Sequence, residues 1–190
     1  MHHGKFICEW EFELKTISAS VGVLTFLLGC APVDISTPPV MITPKIASNA
    51  SGIDVYARER ANGNPVPLFR GQKTVQIRAM GATESAGFAE LSGVPCDIDS
   101  GVYYAKISTP ANLIVPDYGA SSPAIFVRCT YNGKMGSATV NAFNKTNADL
   151  QGSAAGTGLL GAIIIGAVAA NKRNDSVDDF QYPPITVQVK

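Results

Sequence analysis

The closing run of the chain, Ile185-Thr186-Val187-Gln188-Val189, alternates large apolar and polar side chains without a break. Period-two alternation places every second side chain on one face, as a half-buried strand requires. Similar short runs occur at 53–58 (IDVYAR), 74–79 (TVQIRA), 102–107 (VYYAKI), 124–129 (AIFVRC) and 138–143 (ATVNAF). Gly, Pro and Asn separate them, as in Ala61-Asn62-Gly63-Asn64-Pro65, which is turn chemistry. Many short strands with such punctuation predict a mainly β chain, an antiparallel β-sandwich over residues 52–190.

One segment breaks the pattern. Residues 154–170 (AAGTGLLGAIIIGAVAA) carry no charge, and Ala154, Gly158, Ala162, Gly166 and Ala170 recur every fourth position. On a helix this spacing makes a smooth ridge that a second backbone can approach closely, a helix-packing interface. Four glycines would cost a solvated helix roughly 3–4 kcal/mol against alanine, so close packing against something else must offset them. At 1.5 Å per residue the run reaches only about 25 Å, short of the ~30 Å hydrocarbon core of a bilayer. It is followed by Asn171-Lys172-Arg173-Asn174-Asp175 and then by the terminal strand. The expectation is a glycine-zipper excursion over 152–173, helical and set just before the last strand. It packs on the domain, associates with a second copy, or dips into lipid.

The start of the chain has a different character. Residues 16–29 are uncharged and rich in Val, Leu and Phe, about the length of a signal-peptide apolar region. Leu27-Leu28-Gly29-Cys30 resembles the lipobox of bacterial lipoproteins. That resemblance implies cleavage before Cys30, a diacylglyceryl thioether on its sulfur and an acylated new amino end. Residues 1–29 then form the signal peptide. Its leader contains Glu9, Glu11 and Glu13 against Lys5, whereas a start at Leu14 would leave Lys15 before the apolar run, so residues 1–13 read as a start-site artefact. Residues 30–51, with four prolines and much Ser and Thr, read as an extended tether. Ala31 after the cysteine, where no aspartate stands, points by analogy with enteric sorting to the outer membrane, facing the periplasm.

Removal of residues 1–29 takes away His2 and His3, the only histidines, together with Trp10 and Cys8. A Ser-His-Asp or Cys-His nucleophile and a His-bearing zinc site are then unavailable, and no catalytic, cofactor-binding or metal-binding residue is assigned. The remaining net charge is +1, after loss of two of fifteen basic and three of fifteen acidic residues. That balance gives no basic stripe for nucleic acid. Besides Cys30 only Cys96 and Cys129 remain, and in an exported chain they most simply pair as a disulfide, the alternative being two free thiols. Asp97 with Asp99, and the group Asp175, Asp178 and Asp179, are carboxylate clusters that read as solvated turns in preference to calcium sites. Tyr103, Tyr104, Tyr118 and Tyr131 are candidates for a sugar-binding platform, with packing at the core edge as the competing role.

Gly93-Val94-Pro95-Cys96, Gly101, Thr109-Pro110-Ala111, Val115-Pro116 and Val127-Arg128-Cys129 together resemble uncharacterised bacterial envelope lipoproteins with a PEGA-like β-module. Those proteins also carry a glycine-rich apolar segment, then Tyr-Pro and an Ile-Thr-Val strand, like Tyr182-Pro183 and Ile185-Thr186-Val187 here. The resemblance covers roughly residues 90–190; the relatives have an acidic residue within the glycine zipper and this chain has none. It implies an Ig-like or PEGA-like sandwich and brings no catalytic residue. The expected function is that of a non-enzymatic envelope lipoprotein, anchored in the membrane by its lipid. Its glycine zipper would meet a second copy, an envelope protein or lipid. The alternative is a peptidoglycan-binding module that uses exposed tyrosines.

Overall fold

The computed structural model describes residues 32–83, 87–148 and 174–190. The expected signal peptide 1–29, Cys30 and the expected glycine-zipper segment 152–173 with Ala154, Gly158, Ala162, Gly166 and Ala170 lie outside the described residues.

The chain is a β-sandwich. Its strands are β1 (Val40–Met41), β2 (Thr43–Pro44), β3 (Gln72–Thr83), β4 (Gly87–Leu91), β5 (Val94–Asp99) and β6 (Tyr103–Thr109). They continue with β7 (Ala111–Pro116), β8 (Ile125–Tyr131), β9 (Lys134–Val140), β10 (Phe143–Asn144), β11 (Phe180–Gln181) and β12 (Ile185–Val189). The first sheet runs β1-β7-β3-β12, with β4 paired to the far half of β3; the second runs β2-β6-β5-β8-β9. Alternation fixes what faces inward. Val75, Ile77, Leu113, Val115, Ile185 and Val187 from the first sheet meet Val94, Ile98, Tyr103, Ile125 and Val127 from the second, all essentially without solvent contact. Each such side chain contributes about 1.5–3 kcal/mol of burial free energy.

The sandwich is not purely antiparallel. β12 runs parallel to β3, with Ile185 opposite Ile77 and Val189 opposite Gly81, and β1 runs parallel to β7. A parallel pairing needs a long crossover, and residues 174–184 enter β12 from the end where β3 begins, with Asp179 against Lys73. β12 also comes against β9 of the other sheet, where Gly136 admits its backbone: a Cβ on Gly136 would overlap the Gln188 carbonyl. At the opposite flank the chain passes from β1 in one sheet to β2 in the other through the buried Ile42.

Two sequence expectations need correction. The segment 30–51 is not a tether throughout. Val40 pairs with Leu113 and Thr43 with Tyr104, so residues 40–44 belong to the sandwich, with Pro44 at a sheet edge where its missing N–H costs nothing. The run 53–58 is not a strand either. It forms a turn leading into the short helix α1 (Ala57–Ala61). Asp54 is buried, takes the Tyr56 amide, and is held by Arg60 (2.7 Å) and the Tyr118 hydroxyl (3.0 Å). The Tyr118 hydroxyl in turn accepts the Val55 amide at 2.8 Å. Burial pushes the Asp54 pKa upward, but the hydrogen bonds from Arg60, Tyr118 and Tyr56 outweigh it and hold the carboxyl below its ordinary value.

The motif residues have plain structural roles. Thr109-Pro110, with a cis peptide bond, carries the chain from β6 in one sheet to β7 in the other, and Thr109 Oγ1 donates to the Leu91 carbonyl. Pro95 lies on β5 beyond the stretch paired with β8, where no donor is needed on that side.

Candidate functional site

Cys96 and Cys129 face each other across β5 and β8, Cα atoms 4.1 Å apart, and form a disulfide on the inner face of the second sheet. The spacing is that of a narrow antiparallel pair. Both residues are buried, so the bridge ties two neighbouring strands within one layer and offers no reactive thiol.

The residues on either side of 149–173 form a neck. β10 and β11 pair antiparallel, Phe143 with Gln181 and Asn144 with Phe180. Asp178, a buried carboxylate, accepts the Asn144 side-chain amide at 2.6 Å and the Asn174 backbone amide at 3.1 Å. Asp179 accepts the Lys145 amide on its backbone carbonyl and donates its own amide to Thr146 Oγ1. The chain at 143–147 is therefore stitched to the chain at 174–181. This neck is bolted to the sandwich as well. Arg70 reaches the Asp178 carbonyl at 2.6 Å, Lys73 pairs with Asp179, and Tyr182 donates to the Pro123 carbonyl. The Lys73 ammonium holds the Asp179 carboxyl below its usual range, and burial is the main cause that pushes the Tyr182 phenol up to about 12.

Val33, near the start of the described residues, and the neck lie at different levels of the sandwich. The Val33 amide bonds to Glu90, and its carbonyl accepts Arg78. Arg78 and Lys73, the residue that grips the neck, are five positions apart on β3. At a rise near 3.3 Å per residue, the two are separated by about 17 Å along the strand.

Of the carboxylate clusters, Asp178 and Asp179 are committed to the neck, and the Asp175 carbonyl accepts Arg70. Asp97 and Asp99 do share one face, the outer face of the second sheet, as alternation requires. Asp99 is bridged by Lys45 at 2.8 Å and takes the Gly101 amide; Asp97 faces Lys106 at 3.5 Å. Among the described residues no group of three or more His, Cys, Asp or Glu is arranged to hold a metal ion.

The four-tyrosine platform is not formed. Tyr103 is fully buried and Tyr118 nearly so, its ring 5.1 Å from that of Tyr56, while Tyr104 is exposed and Tyr131 half-buried at the β8–β9 hairpin. Adjacent Tyr103 and Tyr104 must point to opposite faces of β6, and core packing claims the first. Sequence reading missed Phe126 and Arg128, which project beside Asp99 and Asp97 on the same outer face. The alternation of 124–129 was the available signal; the register that joins them to β5 was not.

No protein-family model, curated protein or solved structure matches this chain.

Proposed function

We propose that this protein is a non-enzymatic, lipid-anchored component of a bacterial cell envelope. In this reading Cys30 carries the anchor at the outer membrane, and the glycine-rich segment 152–173 makes the contact with a partner. The observation that supports this reading is the neck. Residues 143–147 and 174–181 are hydrogen-bonded to each other, so the chain between them, uncharged from 150 to 171, leaves and rejoins the domain at one place. A single membrane crossing would need those two ends on opposite sides of a bilayer.

The contact assigned to this segment is with a second copy or another envelope protein, with Ala154, Gly158, Ala162, Gly166 and Ala170 as the close-packing ridge.

Mild cross-linking of membranes tests the proposal. The wild-type chain is expected to give oligomeric or hetero-complex bands that disappear when Gly158 and Gly166 are replaced by Leu. Unchanged bands in that variant would overturn the assigned interface. Labelled palmitate should enter the wild type and fail to enter Cys30→Ala; equal labelling would remove the anchor.

A further inference from the structure

Beyond the anchored-partner reading, and independently of it, the outer face of the second sheet has the make-up of a ligand site. The pairing register places Tyr104, Asp99, Phe126 and Thr139 side by side in one row across β6, β5, β8 and β9. The neighbouring row holds Lys106, Asp97, Arg128 and Ser137. Asp97, Asp99, Ser100, Phe126, Arg128 and Thr139 help to line a groove of about 470 Å³. A cavity of that size holds a small part of a ligand in the general range of binding sites.

We infer that this face binds a neutral oligosaccharide, with Phe126 in the groove and Tyr104 beside it in the same row as stacking surfaces, and Asp97, Asp99, Arg128 and Thr139 as hydroxyl partners. Three observations select that chemistry. First, Tyr104 is exposed on the outer sheet face and Phe126 stands two strands away, so their ring-bearing Cα atoms are roughly 9–10 Å apart. That spacing suits alternate rings of an extended sugar chain, whose apolar C–H faces pack on aromatic rings.

Second, the face carries both signs of charge in close pairs, Lys45 with Asp99 and Lys106 with Asp97. A polyanion would meet the two carboxylates and a polycation the two lysines and Arg128. Neutral hydroxyls, which both donate and accept, can bond to either. Third, the Arg128 guanidinium lies over one face of the Phe126 ring, 5.4 Å from its centroid, and a sugar would use the other face. Arginine held this way is ordered before a ligand arrives, which lowers the entropy lost on binding.

The test uses the full isotope-labelled chain in detergent micelles, titrated with chitotetraose and, separately, cellotetraose, followed by amide shifts. The expected result is saturable millimolar or tighter binding to at least one, with shifts centred on 97–101, 126–128 and 139. Tyr104→Ala should weaken it by about tenfold or more, the loss of one stacked ring. Phe126→Ala should do the same; should that variant fail to fold, the exposed Tyr104 still decides the matter. Leu68→Ala, exposed and away from the groove, should bind as wild type. Absence of shifts with both sugars, shifts centred elsewhere, or binding unchanged in Tyr104→Ala would overturn the inference. So would shifts on this face that follow protein concentration and ignore sugar, the outcome of self-association.

Discussion

Gly136 of β9 lies against the Gln188 carbonyl of β12 so closely that a Cβ at Gly136 would overlap it. The Lys190 amide also reaches the Met135 carbonyl at 3.4 Å, so the last strand of one sheet leans on the edge strand of the other. At this flank the two layers come within backbone contact, and a glycine makes it feasible.

Gly136→Ala should therefore push β12 away and loosen its pairing with β3. The expected loss is about 1–3 kcal/mol, the usual range for overpacking a tight site. Urea unfolding checks it, with the exposed neighbour Ser137→Ala as a control expected within ~0.5 kcal/mol of wild type. Equal midpoints for the two variants would contradict the close approach.

The Cys96–Cys129 bridge closes a loop of 33 residues within one sheet. Reduction, or replacement of both cysteines by alanine, should cost about 3–4 kcal/mol if the stabilisation acts on the unfolded chain. Thiol titration of the denatured protein should show the pair unreactive until a reductant is added. Melting curves with and without reductant measure the cost.

The Asp54 carboxyl titrates below its ordinary value of 3.8 in the folded chain. A depressed folded pKa means that the unfolded chain takes up the proton first. The resulting stability is present above pH 3.8 and is lost as the pH falls through the lowered value. Acid unfolding of Asp54→Asn should thus be less steep than that of wild type. Arg60→Ala should be worse than either at neutral pH, by about 3 kcal/mol, because it leaves a buried carboxylate without its cation. Tyr118→Phe removes one hydrogen bond to that carboxylate and the acceptor of the Val55 amide, for about 1.5–3 kcal/mol.

Asn144→Ala removes the 2.6 Å bond to the buried Asp178 carboxylate. The neck should open more often while the sandwich core keeps its packing. Limited proteolysis should cut faster between residues 144 and 178 at a nearly unchanged melting temperature. A parallel fall in melting temperature of the kind seen for core variants would show instead that neck and sandwich unfold together.

Strand positions were largely readable because alternation is a local property. Runs such as 102–107 and 185–189 show their inner and outer faces without knowledge of any neighbour. What failed depended on distant partners. Nothing near Asp54 announces that Arg60 and Tyr118 will draw it inside, so 53–58 looks like a strand when it is a turn and a helix. Prolines at 38, 39 and 44 suggested a free tether, yet a sheet edge tolerates Pro44 because only one side of it is paired. The direction of β12 was equally hidden, since period-two patterning is the same for parallel and antiparallel neighbours. The neck depends on residues more than thirty positions apart, and the outer-face groove on register, which no single run contains.

The split of residues 40–44 between the two sheets has a mechanical consequence. Tension drawn through the amino-terminal end would first load the Val33 bonds to Glu90 and Arg78, then pass through Val40 into β7 of one layer and β6 of the other. Once β1 had yielded, such a load would have to drag Ile42 out of the core before β2 could peel away. The domain would thereby resist being unravelled from the end at which it is pulled.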